Sequence, residues 1–445
     1  MMGQHCTDVF FVMNTCFFIN NYLYFKFCIY RKKMVDSMKS IDGDIVIPQK
    51  KPRPALGPQY SNNEDKNISL RHKDEHNLSK KLTIGDDMGD GSPAECTPKH
   101  DIMFTKVHKS GSSTLQNILL RYGDLNDLTF VIPPMGHHLG YPNYFDSKKH
   151  MLHTEKDVYN IFCHHARFSP DILKVMPPNS IFISILRDPI DVFESAFSYF
   201  KMDHRMGVSD DPDAMTKFLS EPMKYVARMT NSVHTRNNML YDFGIPMGDF
   251  NFEGKIRAAL DTISKRFSLI LIGEYFEESL ILLRDLLCWR TEDVVVFRLN
   301  TRNDNSVQKV SSTNRERIKQ WNKGDVMLYN HFNRTLHEKI DAFGRQRMAE
   351  EVHKLNKLME KYYRTCVESN QAKSQDADFR VWQPTGVQIN GFILKESAKH
   401  NPVCERMIKP EIQYTEELRQ KQFGMNRRKN QKSRFGRRRI QVGMK

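Results

Sequence analysis

No two of the eight cysteines stand in a C-x-x-C pair, which removes the usual spacing of a structural zinc site. Five lie beyond the first thirty residues (Cys96, Cys163, Cys288, Cys366 and Cys404), so that stretch holds at most two disulfides and one free thiol. No G-x-x-x-x-G-K-[ST] occurs, so a Walker nucleotide loop is missing, and no internal repeat points to a solenoid. Acidic residues are missing from the C-terminal end. Residues 418–445 carry eleven lysines and arginines and no acid, against a net charge of +14 for the whole chain. The rest is therefore only mildly basic, and nucleic acid is not an expected partner. A clean apolar span is lacking too. Residues 9–30 form the only candidate, and Asn14, Asn20, Asn21 and Lys26 interrupt it. No lysine or arginine precedes it, no small-residue cleavage site follows, and Arg31, Lys32 and Lys33 close it. By the positive-inside rule that order keeps the downstream chain cytosolic. A membrane anchor and a start at Met34 both stay open.

What is present is enough for a large core: 39% hydrophobic and 11% aromatic residues. Residues 1–33 read as a possible anchor with short flanks. Residues 34–98 are polar and without apolar periodicity, hence a stem or linker. From 99 to 412 strand-like and helix-like segments alternate, the pattern of an α/β domain with a parallel sheet. Residues 413–445 form a basic tail, by default a solvated extension. The sequons at Asn67, Asn77 and Asn333 permit a secretory location without requiring one.

Three strand-then-helix units carry the chemistry. Residues 101–107 (DIMFTKV) lead into HKSGSST and a helix with Leu115, Ile118, Leu119 and Tyr122 on one face. Residues 180–186 (SIFISIL) suit a buried parallel strand; Arg187 follows, Asp188 fits an N-cap and Pro189 the first helical position. The helix after it has an apolar stripe of Ile190, Phe193, Phe197 and Phe200. Residues 267–276 (FSLILIGEYF) form the third strand and feed a leucine-rich helix.

The first loop is an anion cradle in outline. Backbone N–H groups and the positive end of a helix face one spot, and Gly111 permits close backbone approach. Ser110, Ser112, Ser113 and Thr114 add hydroxyls, and Lys109 a mobile charge. Arg187 stands at the carboxyl end of a buried strand, where open α/β sheets bind ligands, with Ser195 two turns into the next helix. Taken separately, each has a plain reading as a capped helix or a solvated arginine. Together they suggest two ends of one nucleotide.

The combination K-S-G-x-S-T after one strand and R-x-x-x-x-x-x-x-S after another resembles the two nucleotide-binding elements of sulfotransferases. The stretches TKVHKSGSSTLQNILLRYG, ILRDPIDVFESAFSYF, IGEYFEESLILLRDLLCW and LYNHFNRTL are similar to the galactose 3-O-sulfotransferases, the group that includes galactosylceramide sulfotransferase; WQPTGVQINGF is similar to that family's closing segment. The resemblance implies a P-loop-NTPase-like parallel sheet flanked by helices, the sulfotransferase fold. It implies PAPS as sulfuryl donor, and as acceptor the 3-hydroxyl of galactose on a glycolipid or glycan. It implies a Golgi membrane protein of type II topology with a lumenal catalytic domain. Lys109 would meet the bridging oxygen between phosphate and sulfuryl group. Ser110, Gly111, Ser112, Ser113 and Thr114 would hold the 5′-phosphosulfate, and Arg187 and Ser195 the 3′-phosphate. A sulfuryl group carries less negative charge than a phosphoryl group, so no metal is expected. The acceptor hydroxyl needs a base, and in FCHHARF a similarity to uronyl 2-O-sulfotransferases puts His165 first and His164 second. GHHLGYPNYF reads as an acceptor-binding loop, Tyr275 as a core residue or adenine platform, and Lys323 in WNKG as part of a late nucleotide loop. The competing functions are a P-loop-like nucleotide kinase and a non-catalytic polyanion binder acting through the tail.

Overall fold

The computed structural model describes residues 96–424 except 156, 210, 230–231, 300–308, 371–378, 383–388 and 390. The stem, the basic run after Gly424, the candidate anchor and most of WQPTGVQINGF lie outside the described residues.

Four short apolar runs build the central sheet: β1 (Ile102–Thr105), β2 (Ile161–Phe162), β3 (Ile181–Leu186) and β4 (Leu269–Ile272). All pairings are parallel, in the order β2-β1-β3-β4. Both faces of such a sheet are covered, which is why these runs are continuously hydrophobic rather than alternating. After β1 the chain adds β2 on one side and β3 on the other. The switch point therefore falls between β1 and β3, and the crevice beyond their carboxyl ends is where this architecture binds ligands.

Helices complete the layers: α1 (Ser112–Leu125), α2 (Pro189–Tyr199), α3 (Asn238–Asp242), α4 (Glu253–Arg266), α5 (Phe276–Leu287), α6 (Ser312–Trp321), α7 (Lys323–Phe343), α8 (Arg345–Cys366) and α9 (Glu411–Phe423). The N-terminus of α2 forms as its residues require: Asp188 accepts a hydrogen bond from the Ile190 N–H, and Pro189 occupies the first turn. Ile190, Phe193 and Phe197 face a separate apolar cluster with Phe218 and Trp321. Phe200 packs against the same cluster and also stacks on His234, centroids 3.8 Å apart. The third strand is shorter than its apolar text, because Gly273–Tyr275 turns as a 3-10 segment and Phe276 already begins α5.

Two expectations change. The body does not end at residue 412: α9 spans that boundary, with Tyr414, Thr415, Leu418 and Arg419 buried and Glu411 paired to Lys106 at 2.5 Å. Charge was a poor guide there, because Arg419 spends its guanidinium on the Pro133 and Gly136 carbonyls. Asn333 lies inside α7 with its side-chain oxygen buried, which does not suit a glycan acceptor. The cysteines use their full capacity: Cys96–Cys288 and Cys366–Cys404 are disulfides and Cys163 is a buried thiol. Among the described residues no helix is long and apolar enough to cross a membrane.

Candidate active site

The loop after β1 turns sharply into α1. Lys109 has φ 61° and Gly111 φ 84°, both left-handed. Gly111 takes that conformation without steric cost, whereas for Lys109 it is strained, as at many functional turns. Gly111 caps α1 without a side chain, so the first helical N–H groups keep their need for an outside acceptor. The hydroxyls divide the work. Ser110 and Ser112 both donate to the Val107 carbonyl, at 2.9 and 2.6 Å, and so brace the loop from within. Thr114 accepts from the Leu299 N–H at 3.1 Å. Ser113 is half-buried.

The second element meets the first directly. A methyl group built on Gly273 would sit 3.5 Å from the Ser110 carbonyl oxygen and 3.7 Å from Arg187 Cβ, so loop and arginine border one point. The Lys109 ammonium lies 3.6 Å from the centre of the Tyr199 ring. Tyr199 is one helical turn beyond Ser195 on α2, the helix that begins just after Arg187. Lysine, serine and arginine thus share one crevice at the β1/β3 switch. Arg187 is held by Asp191 at 3.1 Å and keeps about a third of its side chain exposed; Ser195 is buried.

The two expected histidines separate. His164 is fully buried and turned toward α9, where Nε2 meets Thr415 Oγ1 at 2.9 Å. Thr415 donates its own proton to the Glu411 carbonyl, so His164 must be the donor. Burial pushes its imidazole down to about 3, and no path to an acceptor hydroxyl remains. The second-choice base is therefore corrected to a structural residue. His165 faces the crevice. Its Nδ1 is 3.1 Å from the Lys106 carbonyl, which can only accept, so Nε2 carries the lone pair. Burial first, then the nearby His108 and Lys106, hold it well below the ordinary imidazole range.

His108 is the residue sequence reasoning missed, although it adjoins Lys109. Its ring stacks on His165 at 3.9 Å, and its Nδ1 is 2.9 Å from an Asp242 oxygen that also accepts the His108 backbone N–H at 2.7 Å. With Asp242 ionised, Nδ1–H is the donor and His108 too offers Nε2 as a base. Burial lifts Asp242 to about 7 and keeps His108 well below its usual value, so His108 is neutral and its Nε2 holds the lone pair only while Asp242 is ionised. His234 and Tyr141 close the cluster, at 4.8 and 4.5 Å from His108, and His138 lies 5.6 Å from His165. No motif marked Asp242 or His234; only folding brings α3 beneath the loop. Among the described residues no group of three or more His, Cys, Asp or Glu is arranged to hold a metal ion.

Tyr275 packs against the main core, one of its two expected roles, and edge-on to His337 at 4.6 Å, while Lys323 pairs with Glu253 at 2.9 Å.

The chain's sequence matches the family profile Galactose-3-O-sulfotransferase over residues 70–422. It belongs to that family. The human galactosylceramide sulfotransferase is 38% identical over 341 residues, covering 74% of this chain and 80% of the relative. The mouse protein of that name is 37% identical over 345 residues, with the same coverage. Human galactose-3-O-sulfotransferase 2 is 36% identical over 345 residues, covering 75% and 86%. The chain is a sulfotransferase, and its parallel sheet flanked by helices is the fold expected of one. The kinase alternative falls with that membership.

Proposed function

We propose that this sulfotransferase moves the sulfuryl group of PAPS onto the 3-hydroxyl of a galactose residue, on a glycolipid or glycan, releasing PAP. The observation that carries the reading is the shared crevice: the Lys109 loop and the Arg187–Ser195 helix converge at the β1/β3 switch, beside His165, whose Nε2 keeps its lone pair. In this reading the 5′-phosphosulfate lies on the α1 N-terminus, and Arg187 and Ser195 take the 3′-phosphate. Lys109 leaves the Tyr199 ring for the bridging oxygen, where charge develops as the S–O bond breaks. His165 Nε2 takes the acceptor proton as the hydroxyl oxygen attacks sulfur in line, with His108 beside it. The relatives' names supply galactose as the acceptor sugar. The two disulfides support an oxidising compartment, in keeping with a lumenal Golgi enzyme on a membrane anchor.

The test is incubation with labelled PAPS and a panel of β-galactosides, followed by mapping of the sulfated carbon. Label on O3 of galactose is the expected result. Label on another carbon, or on non-galactosides alone, would remove the assignment.

A further inference from the structure

A short strip of chain, residues 379–382, crosses from α9 to α2 over the Lys109 loop. Its near end is fastened: Phe379 packs against the main core, and Gln413 on α9 donates from its side-chain amide to the Arg380 carbonyl at 2.8 Å. The next two residues meet the two donor elements in turn. Val381 shares a narrow cleft with Ser113, Leu299 and Phe392, which sets it against the first turn of α1. Trp382 reaches α2, its ring edge-on to Tyr199 with centroids 6.1 Å apart. Tyr199 is the ring that carries the Lys109 ammonium at 3.6 Å. Consecutive Cα atoms are only about 3.8 Å apart, so a strip that touches both helices at successive residues bridges the gap between them. The chain that follows is anchored too. Phe392 packs on Phe297 at 5.5 Å, and β5 (Val367–Ser369) pairs antiparallel with β6 (Ile393–Leu394), beside the Cys366–Cys404 disulfide.

Trp382 keeps 58% of its surface in solvent, whereas Trp289 and Trp321 are buried. Beneath it the site is already poorly hydrated: burial, and after it the Glu411 charge, lifts the Tyr199 hydroxyl to about 12. Lys109 assists departure of the bridging oxygen whichever nucleophile attacks the sulfur, and water far outnumbers any sugar. Water attack forms one S–O bond, breaks the bridging one and gives PAP, inorganic sulfate and two protons. Charge does not separate a water oxygen from a sugar hydroxyl; access does. We infer that Trp382, held in place through Val381, covers the sulfuryl end of the donor against bulk water, which makes it a specificity-determining residue that favours a sugar hydroxyl over water. The inference rests on the PAPS reading above.

The test uses PAPS labelled in the sulfuryl group and a saturating β-galactoside, counting label released as inorganic sulfate against label transferred to sugar. In Trp382→Ala that ratio should rise by roughly tenfold over wild type, with the melting temperature unchanged. Trp382→Phe keeps a ring and should leak less than Trp382→Ala. An unchanged ratio in Trp382→Ala overturns the inference, including the case in which transfer and hydrolysis fall together, because the indole then only positions the donor. Equal leakage from the Phe and Ala variants overturns it as well. Calorimetry with PAP separates this failure from that of the functional reading. If PAP binds and the ratio stays flat, the cover is wrong and the donor stands; if neither PAP nor PAPS binds the wild-type protein, the donor reading falls and the cover with it.

Discussion

The carboxyl ends of β1 and β4 lie two strands apart in one sheet and are built on opposite plans. Beyond β4, Glu274 is engaged by the protein through both oxygens: it accepts the Asp188 N–H at 2.9 Å and the Tyr329 hydroxyl at 3.1 Å. It fastens the start of α2 to α7. Beyond β1 the imidazoles are held from one side, at Nδ1. Lys109 rests on an aromatic face in a strained backbone, and His165 satisfies Nδ1 and keeps Nε2, as His108 does while Asp242 is ionised. Underneath, Lys106 is buried and held by Glu411. The difference teaches where chemistry resides: at groups fixed on one side by the protein and left with capacity on the other.

Breaking the β1 end should have the largest effect. Lys109→Ala is expected to lower kcat by about a thousandfold, the scale of one lost charge-stabilising donor, with the melting temperature unchanged. A wild-type rate in the folded variant would remove Lys109 from the mechanism. His165→Ala should cost about a hundredfold in kcat with little change in PAPS affinity. If instead His108→Ala carries that loss and His165→Ala does not, the base is His108.

Stability should respond at the buried pair beneath the loop. Glu411→Gln leaves the Lys106 charge without its partner and should cost about 3–5 kcal/mol in denaturant unfolding. Glu274→Gln at the β4 end should cost only about 1–3 kcal/mol and leave kcat intact. Equal losses for the two would erase the contrast between the strand ends. The pH dependence follows in sign. Although burial raises it, the Lys106 charge draws Glu411 down to about 2, below its unfolded value of about 4.3. Its contribution is therefore full above about 4.3 and is lost as pH falls toward 2. The smallest shift concerns rate. His165 must be neutral to act, and its value is lowered, so the acid limb of kcat should fall below about pH 6.5. An acid limb above that value would exclude His165 as the base.

Much of the site was legible because strand ends and helix starts write local signals. Asp188 and Pro189 announced α2, and the apolar run before Arg187 announced a buried strand. The pairing of His108 with Asp242 was not legible, since 134 residues separate them and Asp242 stands in no motif. The same is true of Glu411, which stands 305 residues from its partner Lys106.

By itself the sequence determined the α/β alternation, the loop that turns on Gly111, the placing of Arg187 at a strand end and the limit of two disulfides. Each depends on neighbours within a few residues, through hydrogen-bond geometry, backbone freedom or simple counting. Tertiary structure alone decided which histidine faces the crevice, which hydroxyls brace the loop and which cysteines pair. Those outcomes depend on burial and on partners brought from distant parts of the chain.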